Sequence, residues 1–359
     1  MIAALAAAIS CCFVPPDREY ITYIDWRTLA LLFCLMTIVN GLRQAGLFAH
    51  FAHSLCARAG SLRRIGVLLV LLCFFSSMLI TNDVALLTFV PFAVVVMGMA
   101  HHQKELLYVV VLQTIAANLG SMLTPVGNPQ NLYLYSFYDL AFGDFLKVTF
   151  PVWGLSLLLL LLAALALRAE ALSVFLGEEP GMDRRAVLVH LALFAVCLLV
   201  VLRVLFWYWM LAIIVAVLLV LDRKLLLKAD FMLLLTFAAF FVFSGNLARI
   251  PAVARSIRGL MAGREYLVSL LMSQVISNVP AALLLSGFTE RSHALLLGVN
   301  IGGLGTPIAS LASLISLKLY SHSEHANTGR FLLVFSLMNL LFLLLLSAFA
   351  VLYNKQIVS

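Results

Sequence analysis

The stretches T-N-D at residues 81–83 and L-T-P-V-G-N-P-Q-N at residues 123–131 interrupt two long apolar runs and decide the fold. The first follows sixteen residues without a charge, Ile65 to Ile80. In hydrocarbon an unpaired backbone amide costs several kcal/mol, so irregular backbone persists there only where protein or a water-filled cavity surrounds it. Both stretches therefore predict a binding site at membrane depth, with free helix ends directed into it.

The composition is that of a polytopic membrane protein. Hydrophobic residues make up 64% of the chain and charged residues 11%, whereas soluble domains carry roughly 25% charged residues. The net charge of +7 then concerns topology and anionic lipid, and no basic, aromatic-interleaved pattern indicates a nucleic-acid partner. The six cysteines lack metal-type spacing and are interpreted as small core residues.

The chain divides into four segments by its pattern of apolar runs. Residues 1–24 hold a short apolar helix, for which a signal peptide is the other interpretation, although the basic leader is missing. Residues 25–167 form a first repeat with a scaffold helix, an amphipathic interfacial arm, a hairpin and a broken helix. Residues 168–229 are a hydrophilic linker and two connecting helices, and residues 230–359 are a second repeat.

The first hairpin is predicted to be re-entrant. Its arms run from Ile65 to Ile80 and from Val84 to Met99, with basic residues at both outer ends. Both ends then lie on one side of the membrane, and the positive-inside rule makes that side cytoplasmic.

The second repeat contains motifs similar to those of the first. S-N-V at residues 277–279 corresponds to T-N-D, and N-I-G-G-L-G-T-P-I-A-S-L-A-S at 300–313 corresponds to N-L-G-S-M-L-T-P-V-G-N-P-Q-N at 118–131. Counting crossings gives nine spans and two opposed hairpins, so the second copy is predicted to be inverted. Lysines and arginines divide almost evenly between the two sides, so this pattern sets the absolute orientation only weakly.

These paired motifs resemble the ion transporter superfamily, which includes divalent-anion symporters, citrate-metal transporters, arsenite permeases and some sodium/proton antiporters. They are most similar to citrate-transporter-like bacterial inner-membrane proteins. The resemblance implies an all-α elevator transporter, with two re-entrant hairpins and two broken helices forming a mobile domain, assembled as a homodimer. It runs from about Asp25 to the C-terminus.

The resemblance also implies which residues form the site. The substrate residues would be Thr81, Asn82, Asp83, Asn128, Ser277, Asn278, Thr306 and Ser310. The coupling-ion residues would be Thr81, Asn82, Asp83, Thr124, Gly127, Asn131, Asn278 and Ser313. Asp83 and Val279 stand where the dicarboxylate branch has threonine, and an ionised Asp83 would repel an anion.

Several of these residues also have a plain structural interpretation. Asp83 would serve as a helix N-cap, although an intramembrane carboxylate is costly enough to indicate function. Asn82 and Asn278 would tie the hairpin turns together. His50 and His53 have a spacing that would suit a metal, but on an interfacial helix they read as a solvated face.

The predicted function is secondary active transport of a small citrate-like anion or oxyanion, coupled to Na⁺ or H⁺, with no cofactor and no metal site. The alternatives in the same fold are arsenite-type metalloid efflux and cation/proton antiport, which tolerate Asp83 better. A membrane enzyme is disfavoured because H-E-x-x-H, G-x-S-x-G and Walker motifs are absent from the sequence. A passive channel suits two half-sites less well than alternating access does.

Overall fold

The computed structural model describes residues 2–57, 59–99, 103–171, 180–323 and 326–353. The regular structure in these ranges is helical. The helices of the first part are α1 (Ile2–Phe13), α2 (Tyr20–Tyr23), α3 (Trp26–Gln44), α4 (Leu47–Ala57), α5 (Leu62–Ile80), α6 (Asn82–Met99), α7 (Gln103–Ser121), α8 (Pro129–Phe137) and α9 (Phe142–Leu165). Those that follow are α10 (Arg184–Val201), α11 (Trp207–Leu221), α12 (Arg223–Leu226), α13 (Phe231–Arg249), α14 (Pro251–Met261), α15 (Glu265–Ile276), α16 (Asn278–Leu285), α17 (Ser292–Ile301), α18 (Leu311–Ser321) and α19 (Thr328–Tyr353). The centre of the predicted linker, residues 172–179, lies outside the described residues. So do Arg58 and the basic residues His101 and His102 that follow the second arm of the first hairpin.

Helices α3 and α13 begin in the same way. Asp25 caps α3 by accepting a hydrogen bond from the backbone N–H of Thr28 at 3.0 Å, and Asp230 caps α13 through Leu233 at 2.9 Å. A short helix follows each of them, α4 after a 49° bend and α14 after Arg249. An aspartate at the N-cap accepts a hydrogen bond from an otherwise free N–H. Its negative charge also interacts favourably with the positive N-terminal end of the helix dipole. The same order of elements therefore opens both parts of the chain.

Two helical hairpins follow these short helices. In each hairpin a single residue separates the arms, Thr81 between α5 and α6 and Ser277 between α15 and α16. The first arms of the two hairpins differ in length, since α5 has 19 residues and α15 has 12.

Helices α7 and α17 form the centre of the molecule. From Leu106 onward almost every residue of α7 is buried, including Gln113 and Thr114, and α17 is buried from Ala294 to Ile301. A helix covered on all sides belongs to the interior of a bundle. Each central helix ends at a break that leads into a second piece, α8 or α18.

The two parts of the chain contact each other through these broken helices. Helix α18 packs against α6 and α7, and α8 packs against α16 and α17. Helix α3 packs mainly against α10 and α11, while α1 packs against α13. The hairpins and broken helices thus share one body, and α3, α10, α11 and α13 border it.

The N-terminal segment is fastened to the end of α13. The Nδ2 of Asn246 donates to the Ser10 hydroxyl at 2.9 Å, and Arg249 binds Asp17 at 2.7 Å. The hydrogen bond from the Arg249 guanidinium holds the pKa of the Asp17 carboxyl below its usual value. The short first helix is therefore an integral part of the bundle.

Among the described residues, five helices are long and apolar enough to cross a bilayer alone, and the bent pair α3–α4 adds a sixth. The chain is a multi-pass membrane protein with an apolar outer surface. The nine spans predicted from the sequence exceed this count because several of them correspond to shorter pieces. Helix α11 has 15 residues, and the second broken helix consists of pieces of 10 and 11, against about 20 for a full crossing.

Candidate functional site

Both hairpin tips have the same strained backbone. Thr81 has φ 70° and ψ 151°, and Ser277 has φ 76° and ψ 153°. This region is essentially restricted to glycine, and a residue with a Cβ is held there at a cost of order 1–3 kcal/mol. Since the two tips agree within a few degrees, their surroundings impose one specific turn.

Each tip is held by a threonine of the neighbouring broken helix. The Thr124 hydroxyl donates to the carbonyl of Met78, and the Thr306 hydroxyl donates to the carbonyl of Gln274 at 3.1 Å. Met78 and Gln274 both lie four residues before the tip asparagine of their hairpin. Each hairpin is thus hydrogen-bonded to the break of the helix that follows it in the chain.

The second tip is also bonded to the loop before α18. The backbone N–H of Asn278 donates to the Ala309 carbonyl at 2.9 Å, and the Ser277 hydroxyl donates to the same carbonyl at 3.3 Å. The side-chain oxygen of Asn278 accepts from the backbone N–H of Val279 at 2.9 Å. Asn278 is therefore a buried residue that shapes the turn.

Two asparagines of the central helices join the parts of the site. Asn118 on α7 accepts at Oδ1 from Nδ2 of Asn82 at 3.0 Å and from the hydroxyl of Ser310 at 2.9 Å. Asn300 on α17 accepts at Oδ1 from Nδ2 of Asn128 at 3.2 Å. Each central helix is thus bonded to the residue that begins the second piece of the other broken helix.

The orientation of these amides follows from backbone partners. Asn82 accepts at Oδ1 from the N–H of Asp83 at 3.0 Å, so its Nδ2 faces Asn118. Asn128 accepts at Oδ1 from the N–H of Asn131 at 3.0 Å, so its Nδ2 faces Asn300. A backbone N–H can only donate. This fixes which side-chain atom is oxygen and which is nitrogen in Asn82 and Asn128, and therefore in their partners Asn118 and Asn300.

The carbonyls freed by both helix breaks are met by side-chain amides. Nδ2 of Asn131 lies 3.2 Å from the Met122 carbonyl oxygen and 3.4 Å from that of Thr124. Nε2 of Gln274 donates to the carbonyls of Gly302 at 2.7 Å and Leu304 at 2.9 Å. An amide N–H group thus occupies each carbonyl cluster.

Glycines allow the backbones to approach at these breaks. A Cβ at Gly127 would meet the Ser121 carbonyl, and one at Gly120 would meet the Phe74 carbonyl of α5. At Gly302, 182 residues after Gly120, a Cβ would lie 2.9 Å from the Ser273 side chain of α15. Small residues at such crossings permit the tight helix contacts that membrane bundles use.

Asp83 faces a cavity of about 210 Å³ between the first hairpin and α3. Its Oδ1 is buried and has no hydrogen-bond partner. Thr81 and Asn128 line the same cavity, together with Lys228 and Asp230 from the segment before α13. The Lys228 ammonium donates to the Gln44 side chain at 2.9 Å.

The sequence model described as citrate transporter matches residues 1–293. The chain belongs to the citrate transporter family. It is 32% identical to an uncharacterised transporter of Methanocaldococcus jannaschii over 337 residues, which is 92% of this chain and 91% of that protein. It is 33% identical to the inner membrane protein YbiR of Escherichia coli over 313 residues, 86% of this chain and 83% of that protein. A silicon efflux transporter of Oryza sativa is 30% identical over 152 residues, 41% of this chain and 31% of that protein.

The predicted site residues of this family member fall into three groups. Thr81, Asp83 and Asn128 face the cavity. A second group is buried around the central asparagines, and it contains Asn82, Asn131, Asn278, Ser310 and Ser313, with the half-buried Ser277 beside Asn278. Thr306 is exposed at the second break, while Gly127 and Thr124 shape the first. The roles assigned to all of them in binding stay predictions.

Four residues of the site escaped prediction. Asn118 and Asn300 connect the two broken helices by hydrogen bonds. The sequence signal for them was that each is the first residue of its aligned repeat motif. Lys228 and Asp230 line the cavity, but no sequence signal placed the end of the linker beside a hairpin tip that comes 145 residues earlier, at Asp83.

Proposed function

We propose that this member of the citrate transporter family is a secondary active transporter of a small oxyanion, or of its neutral acid, coupled to protons in a bacterial inner membrane. The observation that carries the proposal is the Asp83 carboxyl, whose Oδ1 is buried without a partner beside a cavity. A carboxylate at membrane depth is functional by default, because it must bind a cation or take up a proton.

Protons suit the site better than sodium. Broken-helix carbonyls are where transporters coordinate cations, but here Asn131 and Gln274 already place amide N–H groups among those carbonyls. A sodium ion would have to displace an amide at either break. Asp83 is then the group left to hold the coupling charge, and a carboxyl accepts a proton without any further ligands.

The charges around the cavity give the coupling its sign. With Asp83 ionised, the lining holds two carboxylates and one ammonium, from Asp83, Asp230 and Lys228. Protonation of Asp83 leaves one carboxylate and one ammonium. An anion therefore enters more favourably when Asp83 carries a proton, and by linkage the anion favours the proton equally. This is the relation expected of symport.

The cavity volume and the donors favour a small solute. About 210 Å³ is below the 300–1,000 Å³ of drug-sized ligand pockets, and two acidic side chains disfavour a polyanion. A neutral metalloid hydroxide is the second candidate, favoured by the similarity of part of this chain to a protein named as a silicon efflux transporter. Citrate itself is proposed only through the description of the family.

The architecture supports an elevator mechanism with inverted repeats and re-entrant hairpins. The bonds through Asn118 and Asn300 tie both broken helices together, so these elements would move as one body. Helices α3, α10, α11 and α13 would be the fixed scaffold, in a homodimer. The segment boundaries predicted at residues 25, 168 and 230 belong to the same proposal.

The test is accumulation in proteoliposomes of arsenite, silicic acid, phosphate, sulfate or citrate, driven by an imposed pH or sodium gradient. Asp83→Asn keeps the shape of the side chain and removes its charge, so gradient-driven accumulation should fall at least tenfold while solute exchange persists. The matched control is Asp230→Asn, which removes a charge from the same cavity and keeps a good N-cap, and it should retain coupling.

The pH dependence gives a second readout. Wild-type uptake should rise as the outside is acidified, and Asp83→Asn should be indifferent to pH. If Asp83→Asn accumulates solute as the wild type does at every pH, or if only a sodium gradient drives uptake, proton coupling at Asp83 is wrong.

A further inference from the structure

Each central helix packs against the second piece of the other broken helix, α17 against α8 and α7 against α18. The side chains at these two contacts differ. Where α17 meets α8, Nδ2 of Asn300 donates to Oδ1 of Asn131 at 2.7 Å. The residues at the corresponding places are Asn118, 182 before Asn300, and Ser313, 182 after Asn131. Nδ2 of Asn118 and Oγ of Ser313 are both buried and have no hydrogen-bond partner.

The cause of the difference is the length of one side chain. The oxygen of serine is one bond nearer the backbone than the amide oxygen of asparagine, so Ser313 does not offer Asn118 the oxygen that Asn131 offers Asn300. Asn118 cannot turn away to find another partner, because its Oδ1 is held by Asn82 and Ser310. Asn118 is 5% exposed and Ser313 1%, and a buried polar atom left unpaired carries its full desolvation penalty.

Helix α18 also lacks the side-chain cap that α8 has. Asn128 caps α8 through the N–H of Asn131. Ser310, at the start of α18, makes no side-chain cap bond, since its hydroxyl donates to Asn118. Ser313 lies in the first turn of α18, where free N–H groups and the helix dipole favour negative charge.

We infer that one oxygen atom of the transported solute binds between Nδ2 of Asn118 and Oγ of Ser313, at the N-terminus of α18. The inference rests on the proposed function and deepens it by naming the solute subsite. The ligand is an oxyanion or oxyacid oxygen that accepts from the Asn118 amide and accepts from, or donates to, the Ser313 hydroxyl. The corresponding place beside Asn300 is not available, because the side chain of Asn131 fills it.

The test introduces into the second half what the first half has. Ser313→Asn should supply the missing oxygen to Asn118 and close the gap, while Ser313→Ala should leave the gap and remove one of its two polar groups. Ser321→Asn makes the same change at an exposed position of α18 and is the matched control. Each purified variant is heated with and without arsenite, silicic acid, phosphate or citrate, and its uptake is measured in proteoliposomes.

The expected result separates stability from binding. Ser313→Asn should raise the unfolding midpoint of the solute-free protein, and solute should no longer shift it. The KM of uptake should rise about tenfold or more, as expected for the loss of about one hydrogen bond to a charged group. Ser313→Ala should weaken binding without stabilising the protein, and Ser321→Asn should behave as wild type.

Three outcomes would overturn the inference. If Ser313→Asn is stabilised but transports as wild type, the gap holds only a structural water. If Ser313→Asn gains no stability, Asn118 and Ser313 do not share a gap. If no solute shifts the midpoint of the wild type, no solute binds there. Binding without gradient-driven uptake would sustain the subsite and refute the transport proposal instead.

Discussion

At the strained turn of Thr81 we expect the glycine variant to be more stable than the alanine variant, which is the reverse of the order inside a helix. Thr81→Gly and Thr81→Ala both remove the hydroxyl, so their difference reports the backbone alone. Glycine relieves strain of order 1–3 kcal/mol but adds about 0.4–1 kcal/mol of entropy to the unfolded chain. The glycine variant should therefore be more stable by roughly 0.5–2 kcal/mol, whereas inside a helix glycine is less stable than alanine by roughly 0.5–1 kcal/mol.

The assay is thermal unfolding of the purified variants side by side, with Ser277→Gly and Ser277→Ala as a second pair at the other tip. A difference of 1 kcal/mol moves Tm by roughly 2–4 °C in chains of 150–250 residues and by less in longer ones. Thr236 is a half-buried residue in the middle of helix α13, so there the alanine variant should be the more stable. An alanine variant at Thr81 as stable as the glycine variant would refute the strained turn.

Two further predictions concern topology and close helix contact. Single cysteines at Ala57 and Ala262, the exposed residues that end and follow the two short helices α4 and α14, should label from opposite sides of the membrane in a background without the native cysteines; labelling from one side would exclude the inverted repeat. Gly120→Ala should destabilise the protein by about 1–3 kcal/mol through overpacking against α5. Gly154→Ala, in open space on α9, should stabilise it by up to about 1 kcal/mol in the same unfolding assay, and equal effects of the two changes would contradict the contact.

The fold was predictable where the sequence carries strong local signals. Charge-free apolar runs define the helices, and Asp25 and Asp230 mark the starts of α3 and α13 because an N-cap needs only a local side chain. The number of crossings was harder to predict. Hydropathy describes a run of residues, while a broken helix crosses as two short pieces whose joining depends on tertiary contacts.

The site was predictable residue by residue but not in its connections. The tip asparagines and the threonines of the breaks follow from paired motifs, and the structure bonds each threonine to its own hairpin. The sequence does not predict that Asn131 donates to the carbonyls of its own break. An asparagine at that position would suit an ion site equally well. Only the distances show which of its atoms are already bonded.

The differences between the two halves assign separate tasks to them. Where one tip has Asp83 the other has Val279, and where one break has Asn131 the other has Ser313. The first half thus holds the ionisable group and fills its break with the Asn131 amide, while the second lacks the charge. Nδ2 of Asn118 in the first half and Oγ of Ser313 in the second have no hydrogen-bond partner. Asn118 contacts the tip of the first half and the break of the second. A solute oxygen bound to Asn118 would therefore be one hydrogen bond away from Asn82, the neighbour of Asp83. If Asp83 takes up the coupling proton as proposed, this short path is how solute and proton would favour each other.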